Sequence, residues 1–333
     1  MPYSPYKIMF SMTLISGSIL SISSTSWFSA WVGLELNLMS FIPLISSSSN
    51  KIPSEASLKY FLVQALGSAL IIFSSSLIIF SMNPSFLVIS LALLLKLGAA
   101  PFHFWFPQVM EGLNWIQAII LMTIQKLAPM FLISFLPINL YIYFLIFMIA
   151  LTSAIVGALG GMNQTSLRKI LTYSSINHIS WMLFSMLINE TLWIVYFIMY
   201  SIISASVALL FHSLQAYYFP HLMNNNKTTF SKTISILSLY SLGGLPPFSG
   251  FIPKWIVVQE MINSLFFTPL VILLMSSLIT LYFYIRLTLS AVSFSYTQNK
   301  WTQSLSISPS VSLPFFSFLN LFGLLIPSLL MTS

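Results

Sequence analysis

Residues 93–107 read LLLKLGAAPFHFWFP, an apolar run with Lys96 in its middle and Pro101 and Pro107 towards its end. A second stretch, GLPPFSGFIPK at 244–254, repeats the pattern and carries Lys254. Aligned, residues 98–107 and 244–253 both fit G-x-x-P-F-x-x-[FW]-x-P. A proline inside a helix lacks the backbone N–H and leaves the carbonyl four residues earlier without its donor. On that reading Pro101 releases Leu97, Pro246 and Pro247 release Leu242 and Gly243, and Pro129 in QKLAP releases Gln125. Each break stands beside a lysine. Such prolines either kink helices for packing or open polar sites, and the surroundings decide between the two.

Those surroundings are almost wholly apolar. Of 333 residues, 57% are hydrophobic and 5% charged, where a soluble domain carries about 25% charged residues. Runs near the ~20 residues that cross a bilayer recur along the chain. They fall at 7–23, 27–45, 57–80, 86–106, 113–136, 139–160, 168–187, 191–217, 233–262, 268–292 and 313–331. The expectation is an all-α polytopic membrane protein with about eleven transmembrane helices; the short alternating segments of a β-barrel are not seen. The first run follows MPYSPYK without a small-residue cleavage site, so it reads as a span rather than a signal peptide. With no cysteine there is no disulfide, and no thiolate for an iron–sulfur cluster or a zinc site. The four histidines share no i, i+4 spacing, which argues against a haem or metal site.

The basic residues sort by side. Lys7, Lys51, Lys59, Arg168, Lys169, Lys227, Lys232, Arg286 and Lys300 lie at or near the ends and loops on the N-terminal side. The opposite loops, around 24–26, 81–85, 137–139, 188–190 and 263–267, contain no Lys or Arg. The positive-inside rule then places the N-terminus on the matrix or cytoplasmic side and the C-terminus opposite. The net charge of +7 is mostly this topology signal; a nucleic-acid partner would need a clustered basic patch.

Lys96, Lys126 and Lys254 remain, all inside expected spans, as does Glu35 in AWVGLELNLMSFIPL. A charge at the bilayer centre costs about 2.5–3.5 kcal/mol, so four unpaired ones would cost about 10–14 kcal/mol. One acid cannot neutralise three lysines, which weighs against a purely structural ion pair. Burial and a neighbouring carboxylate act on a lysine's proton in opposite senses. Making and breaking a Glu35 pair would change proton affinity along a path, as a pump switch requires. His178 in SLRKILTYSSINHISWM, beside Ser174, Ser175, Asn177 and Ser180, reads either as part of a hydrated relay or as a hydrogen-bonded core histidine. His103 and His212 lie near the positive-side ends of their spans, and His221 is expected in a loop. Glu55, Glu111 and Glu190 read as solvated span ends, and Glu260 as a possible exit group. The two proline motifs occupy the fourth and ninth spans, which run in opposite directions, the trace of an inverted repeat with a site at the midplane.

GLELN (33–37), EASLKYFL (55–62), KLGAAPFHFW (96–105), QKLAP (125–129), YSSINHISW (173–181) and LPPFSGFIPKW (245–255) together resemble the antiporter-like membrane-arm subunits of respiratory complex I, the NADH–ubiquinone oxidoreductase. The likeness runs over nearly the whole chain, and the composition looks like a mitochondrially encoded arthropod version. The resemblance implies an antiporter-like fold of two inverted five-helix repeats, each with a discontinuous helix. It implies a single membrane domain over 1–333, with a first helix at 1–23, repeats at 24–160 and 161–292, and a loop and last helix at 293–333. It assigns a proton relay to Glu35, Lys96, Lys126 and Lys254, beside which His178 joins as a relay candidate. It implies no cofactor in this chain, with NADH, FMN, iron–sulfur clusters and ubiquinone in other subunits, and no small-molecule substrate other than protons. Partners would be neighbouring antiporter-like and small membrane subunits, and lipid in the space of N-terminal helices that animal versions lack. The location implied is the mitochondrial inner membrane, N-terminus in the matrix and C-terminus in the intermembrane space. A stand-alone monovalent cation/proton antiporter and a structural spacer of the membrane arm are the alternatives.

Overall fold

A computed structural model describes residues 5–46, 51–78, 82–137, 139–224 and 229–295. These residues are helical almost throughout, and their one β-type pairing is an isolated antiparallel bridge between Ser166 and Tyr218. The expected span at 313–331 lies outside them, as do Lys227 and Lys300. Two compact units divide the chain, Met1–Ser153 and Ala154–Ser333. The first holds α1 (Pro5–Ile22), α2 (Trp27–Ile45), α3 (Lys51–Leu77), α4 (Met82–Leu97), α5 (Trp105–Gly112), α6 (Trp115–Met122) and α7 (Ile124–Ser134). The division falls within α8 (Leu140–Gly161). The second unit continues with α9 (Leu167–Ile188), α10 (Glu190–Leu214), α11 (Phe219–Asn224), α12 (Thr229–Gly243), α13 (Phe251–Asn263) and α14 (Phe267–Ser295).

Helix is what a bilayer demands of such a chain, because every backbone polar group must then be satisfied within the segment. The many serines fit because their hydroxyls donate back to carbonyls three residues earlier, as Ser18 does to Ile15, Ser40 to Asn37 and Ser153 to Ala150. Short polar residues mark the helix starts. Ser26 and Ser29 form a capping box on α2, Asn114 and Gln117 one on α6, and the Asn189 side chain accepts from the Thr191 N–H on α10.

Among the described residues, six segments are long and apolar enough to cross a membrane: Trp27–Ile45, Lys51–Leu77, Trp115–Ser134, Leu140–Gly161, Glu190–Leu214 and Phe267–Leu289. Their outward faces are apolar: Leu62, Leu66 and Phe73 of α3, Leu140 and Phe144 of α8, and Val271, Met275, Leu278 and Leu289 of α14 are all exposed. An apolar environment, not water, suits such faces. Small residues bring helices close: a Cβ on Gly17 would stand 3.0 Å from the Gly33 carbonyl oxygen, and one on Gly33 2.6 Å from the Ser21 nitrogen. That close approach sets α1 against α2, the helix that carries Glu35.

The expected span at 113–136 is present but jointed. Thr123, at φ −114° and ψ −79°, separates α6 from α7, and its hydroxyl donates to the Ile119 carbonyl at 2.7 Å. Pro129 lies inside α7. The span expected at 233–262 is two helices, α12 and α13, with an irregular stretch between them; that expected at 86–106 is α4, an irregular stretch and the start of α5, which runs on to Gly112.

Candidate functional site

Both irregular stretches begin the same way, and glycine makes them. Gly98 has φ +72° and Gly244 φ +80°, a left-handed conformation that costs a residue with a Cβ about 1–2 kcal/mol. The Gly98 N–H donates to the Leu95 carbonyl at 3.1 Å and the Ala99 N–H to Leu94 at 3.2 Å. In the second unit the Gly244 N–H donates to Ser241 at 3.1 Å and the Leu245 N–H to Tyr240 at 3.4 Å. Each is a Schellman stop. Pro101 and Pro247 therefore stand three residues beyond the glycine at which each helix has already ended, and Pro246 two. The sequence reading that these prolines release helical carbonyls is corrected: the first glycine of the repeat ends the helix, and proline follows because it cannot continue one. Pro129, inside α7, fits the original reading.

Carbonyls around both breaks accept from side chains. In the first unit Trp105 Nε1 donates to the Leu95 carbonyl at 3.2 Å, Gln64 Nε2 to Lys96 at 3.2 Å, and Thr152 Oγ1 to Ala100 at 3.0 Å. In the second unit Lys254 Nζ reaches back across the break and donates to the Gly243 carbonyl at 2.9 Å. The Lys254 chain lies over Gly244, where a Cβ would come within 3.0 Å of Nζ. Gly250 closes the same stretch, since a Cβ there would collide with the Ser241 carbonyl.

Lys96, Lys126 and Lys254 are 5%, 2% and 7% exposed. Lys96 lies in the last turn of α4, and its aliphatic stem runs over Gly67 of α3, where a Cβ would meet Cγ at 3.0 Å and Cε at 3.2 Å. Glu35, half-buried on α2, acts electrostatically on Lys96. Lys126, in the first turn of α7, places its ammonium 5.1 Å from the centre of the Phe106 ring, a distance for cation–π attraction. Gln125 beside it accepts from Tyr60 Oη at 3.0 Å and donates to Asn37 Oδ1 at 2.8 Å.

His178 is buried on α9, with Nδ1 2.8 Å from Tyr196 Oη and its ring 4.9 Å from that of Tyr200. A cavity the size of one water molecule lies beside it. His178, Tyr196, Tyr200 and Ser241 line it, together with Gly250 and Pro253, the latter adjoining Lys254 in the chain. His178 and the second break thus share one small space. Nearby Asn177 accepts from Ser276 of α14 at 3.0 Å.

Glu55 and Glu190 are exposed, and Glu111, Glu260 and His212 are half-buried. His103 is buried in the first break, with Nδ1 3.3 Å from the Pro101 carbonyl oxygen. His221 is exposed and belongs to the short helix α11, not to the loop expected for it. Among the described residues no group of three His, Asp or Glu could hold a metal ion. Sequence reasoning missed Asn37, Tyr60, Gln64 and Gln125. None is charged, and the available signal was the presence of large amide and phenol side chains inside spans where polar groups need partners.

Apolar helices, two pairs of them separated by irregular stretches, and three buried lysines define a polytopic membrane protein that holds charge among its helices. Residues 24–280 match the family described as NADH:quinone oxidoreductase/Mrp antiporter, TM, and the chain belongs to it. Within that family it belongs with NADH-ubiquinone oxidoreductase chain 2. It is 45% identical to that protein of Anopheles gambiae and 48% identical to that of Aedes aegypti, each over 97% of both chains. Two solved structures share the fold. A chain of respiratory complex I from Thermus thermophilus aligns with TM-score 0.83 at 22% identity, over 98% of this chain and 80% of that one. A chain of the Mrp complex from Dietzia aligns with TM-score 0.77 at 17% identity, over 84% and 59% respectively.

Proposed function

We propose that this chain is a proton-translocating membrane-arm subunit of respiratory complex I, a multi-pass protein of the mitochondrial inner membrane. Its place is in an enzyme that couples NADH oxidation by ubiquinone to proton movement. Electron transfer, with FMN and iron–sulfur clusters, belongs to other subunits, and this chain moves protons. Neighbouring antiporter-like and small membrane subunits, and lipid, would cover its apolar outer faces. In this reading the chain has about eleven spans in two inverted repeats, with the N-terminus in the matrix. The observation that carries the reading is the burial of three lysines among helices of a chain that avoids charge elsewhere.

The chemistry assigned to each residue follows from its surroundings. Glu35 and Lys96 form the switchable charge pair, since one acts on the other across α2 and α4. Lys126 is the central relay, its ammonium set against the Phe106 ring. His178 carries a proton towards the second break, where Lys254 exchanges its carbonyl partner at Gly243 for a water or a proton acceptor. Each exchange must leave no buried charge unpaired, which forces proton movement and side-chain movement to occur together.

The test begins with a native gel of mildly solubilised membranes, stained for NADH dehydrogenase activity and probed for this chain. Co-migration with the active high-mass band is expected. Lys126→Met should then leave assembly intact while coupled turnover and pumping fall by roughly a hundredfold, the low end for a positioned proton-transfer group. Full pumping in the assembled variant refutes the relay. Cation/proton exchange by the isolated chain would favour a stand-alone antiporter, and loss of assembly without loss of turnover per complex a structural spacer.

A further inference from the structure

The Asn37–Gln125–Tyr60 chain lies outside every role assigned so far, yet it joins the three helices around the first unit's charges. Asn37 is on α2, two residues after Glu35; Tyr60 is on α3, one turn before Gln64 and two turns before Gly67, which touch Lys96. Gln125 immediately precedes Lys126. Asn37 and Tyr60 are fully buried, and Gln125 is half-buried. The Gln125 amide is used at both ends, its oxygen by Tyr60 and its nitrogen by Asn37.

Hydrogen bonds of this kind can serve as simple glue between membrane helices. The backbone around Gln125 argues for more. Thr123 breaks the helix two residues earlier, and Pro129, four residues later, offers no N–H to the Gln125 carbonyl. The turn that bears Lys126 therefore lies between two gaps in the helical ladder, and such a turn opens at low cost. Its side-chain anchors lie on the Glu35 helix and on the helix against which Lys96 packs.

We infer that Gln125 is a positioning residue: through its bonds to Asn37 and Tyr60 it fixes where Lys126 stands and ties that position to the helices of Glu35 and Lys96. This inference rests on the relay reading above. A shift of α2 or α3 then moves the Lys126 turn directly, without a new contact to the lysine itself.

Two variants in the assembled complex test it. Gln125→Leu keeps the volume and loses both bonds; Tyr60→Phe removes one hydroxyl. Expected is a fall in kcat of coupled NADH:ubiquinone turnover per assembled complex of roughly fivefold for Tyr60→Phe, the factor carried by one hydrogen bond, and a larger fall for Gln125→Leu, which loses two. Fewer protons should move per NADH, and the ubiquinone KM should not change. Wild-type turnover and pumping per assembled complex, even with less complex assembled, would overturn it and leave the chain as packing. A loss shared between kcat and KM would overturn it as well. If Gln125→Leu does not assemble, Tyr60→Phe decides, and normal pumping there overturns the inference. Should Lys126→Met lose pumping while these variants keep it, only this inference fails; should Lys126→Met pump fully, the relay reading itself falls.

Discussion

Gly98 and Gly244 offer a matched pair of substitutions. Replacing either by alanine forces a Cβ into a left-handed backbone at φ +72° or +80°, at a cost of about 1–2 kcal/mol. What the new methyl meets differs. At Gly98 it lies 3.3 Å from the Trp105 ring and 3.4 Å from Phe106 Cβ, both neutral; at Gly244 it lies 3.0–3.2 Å from Lys254 Nζ, Cε and Cδ. Gly244→Ala therefore also pushes Lys254 off the Gly243 carbonyl, a 2.9 Å bond that contributes roughly 1–3 kcal/mol. The sums are about 1–2 kcal/mol for Gly98→Ala and about 2–5 kcal/mol for Gly244→Ala. The assay is proton pumping per NADH in membranes normalised to assembled complex. Both variants should assemble less well, and only Gly244→Ala should also pump less per assembled complex. Gly244→Asn, which relieves backbone strain but keeps a Cβ beside Lys254, should assemble better than the alanine variant and pump as poorly. Equal pumping by Gly98→Ala and Gly244→Ala would refute the view that the position of Lys254 over the break matters.

Gly33→Ala would press a methyl to 2.6 Å from the backbone nitrogen of Ser21, which cannot swing aside as a side chain would. A loss of about 1–3 kcal/mol is expected, read as a lower unfolding temperature of the solubilised complex; an unchanged temperature would mean that α1 and α2 are not locked at this point. Tyr196→Phe removes the hydroxyl 2.8 Å from His178 Nδ1 and leaves a buried ring nitrogen without that partner. That costs about 1–3 kcal/mol and should slow coupled turnover, whereas unaltered turnover with normal assembly would take His178 out of the relay.

The repeated G-x-x-P-F motif located both breaks, because glycine and proline limit the backbone whatever surrounds them. It was less good at apportioning the work: the prolines drew attention, whereas Gly98 and Gly244 end the helices. Lys96, Lys126 and Lys254 were legible because a basic residue inside an apolar run needs an explanation. Their partners were not. That Lys254 folds back on Gly243, and that Lys126 faces Phe106, depend on which helices pack together, which no local pattern records. The joint at Thr123 was silent too, since threonine occurs in helices and breaks them equally quietly. Asn37, Tyr60 and Gln125 carry no charge to mark them within an apolar run, yet a membrane demands hydrogen bonding of neutral groups as well.

The two break lysines come from different places in the chain, yet they share one electrical address. Lys96 belongs to the last turn of α4; Lys254 belongs to the first turns of α13 but bends back to the last carbonyl of α12. Each thus stands at the carbonyl-rich pole of a half-helix, the end that carries the negative part of the helix dipole. Winding the gap into a continuous helix would not erase that pole, because Pro101 and Pro247 bring no N–H to the Leu97 and Gly243 carbonyls. The sequence thus withholds a backbone donor from the very carbonyl that Lys254 binds. The break and the charge beside it are in that sense specified together, twice along one chain.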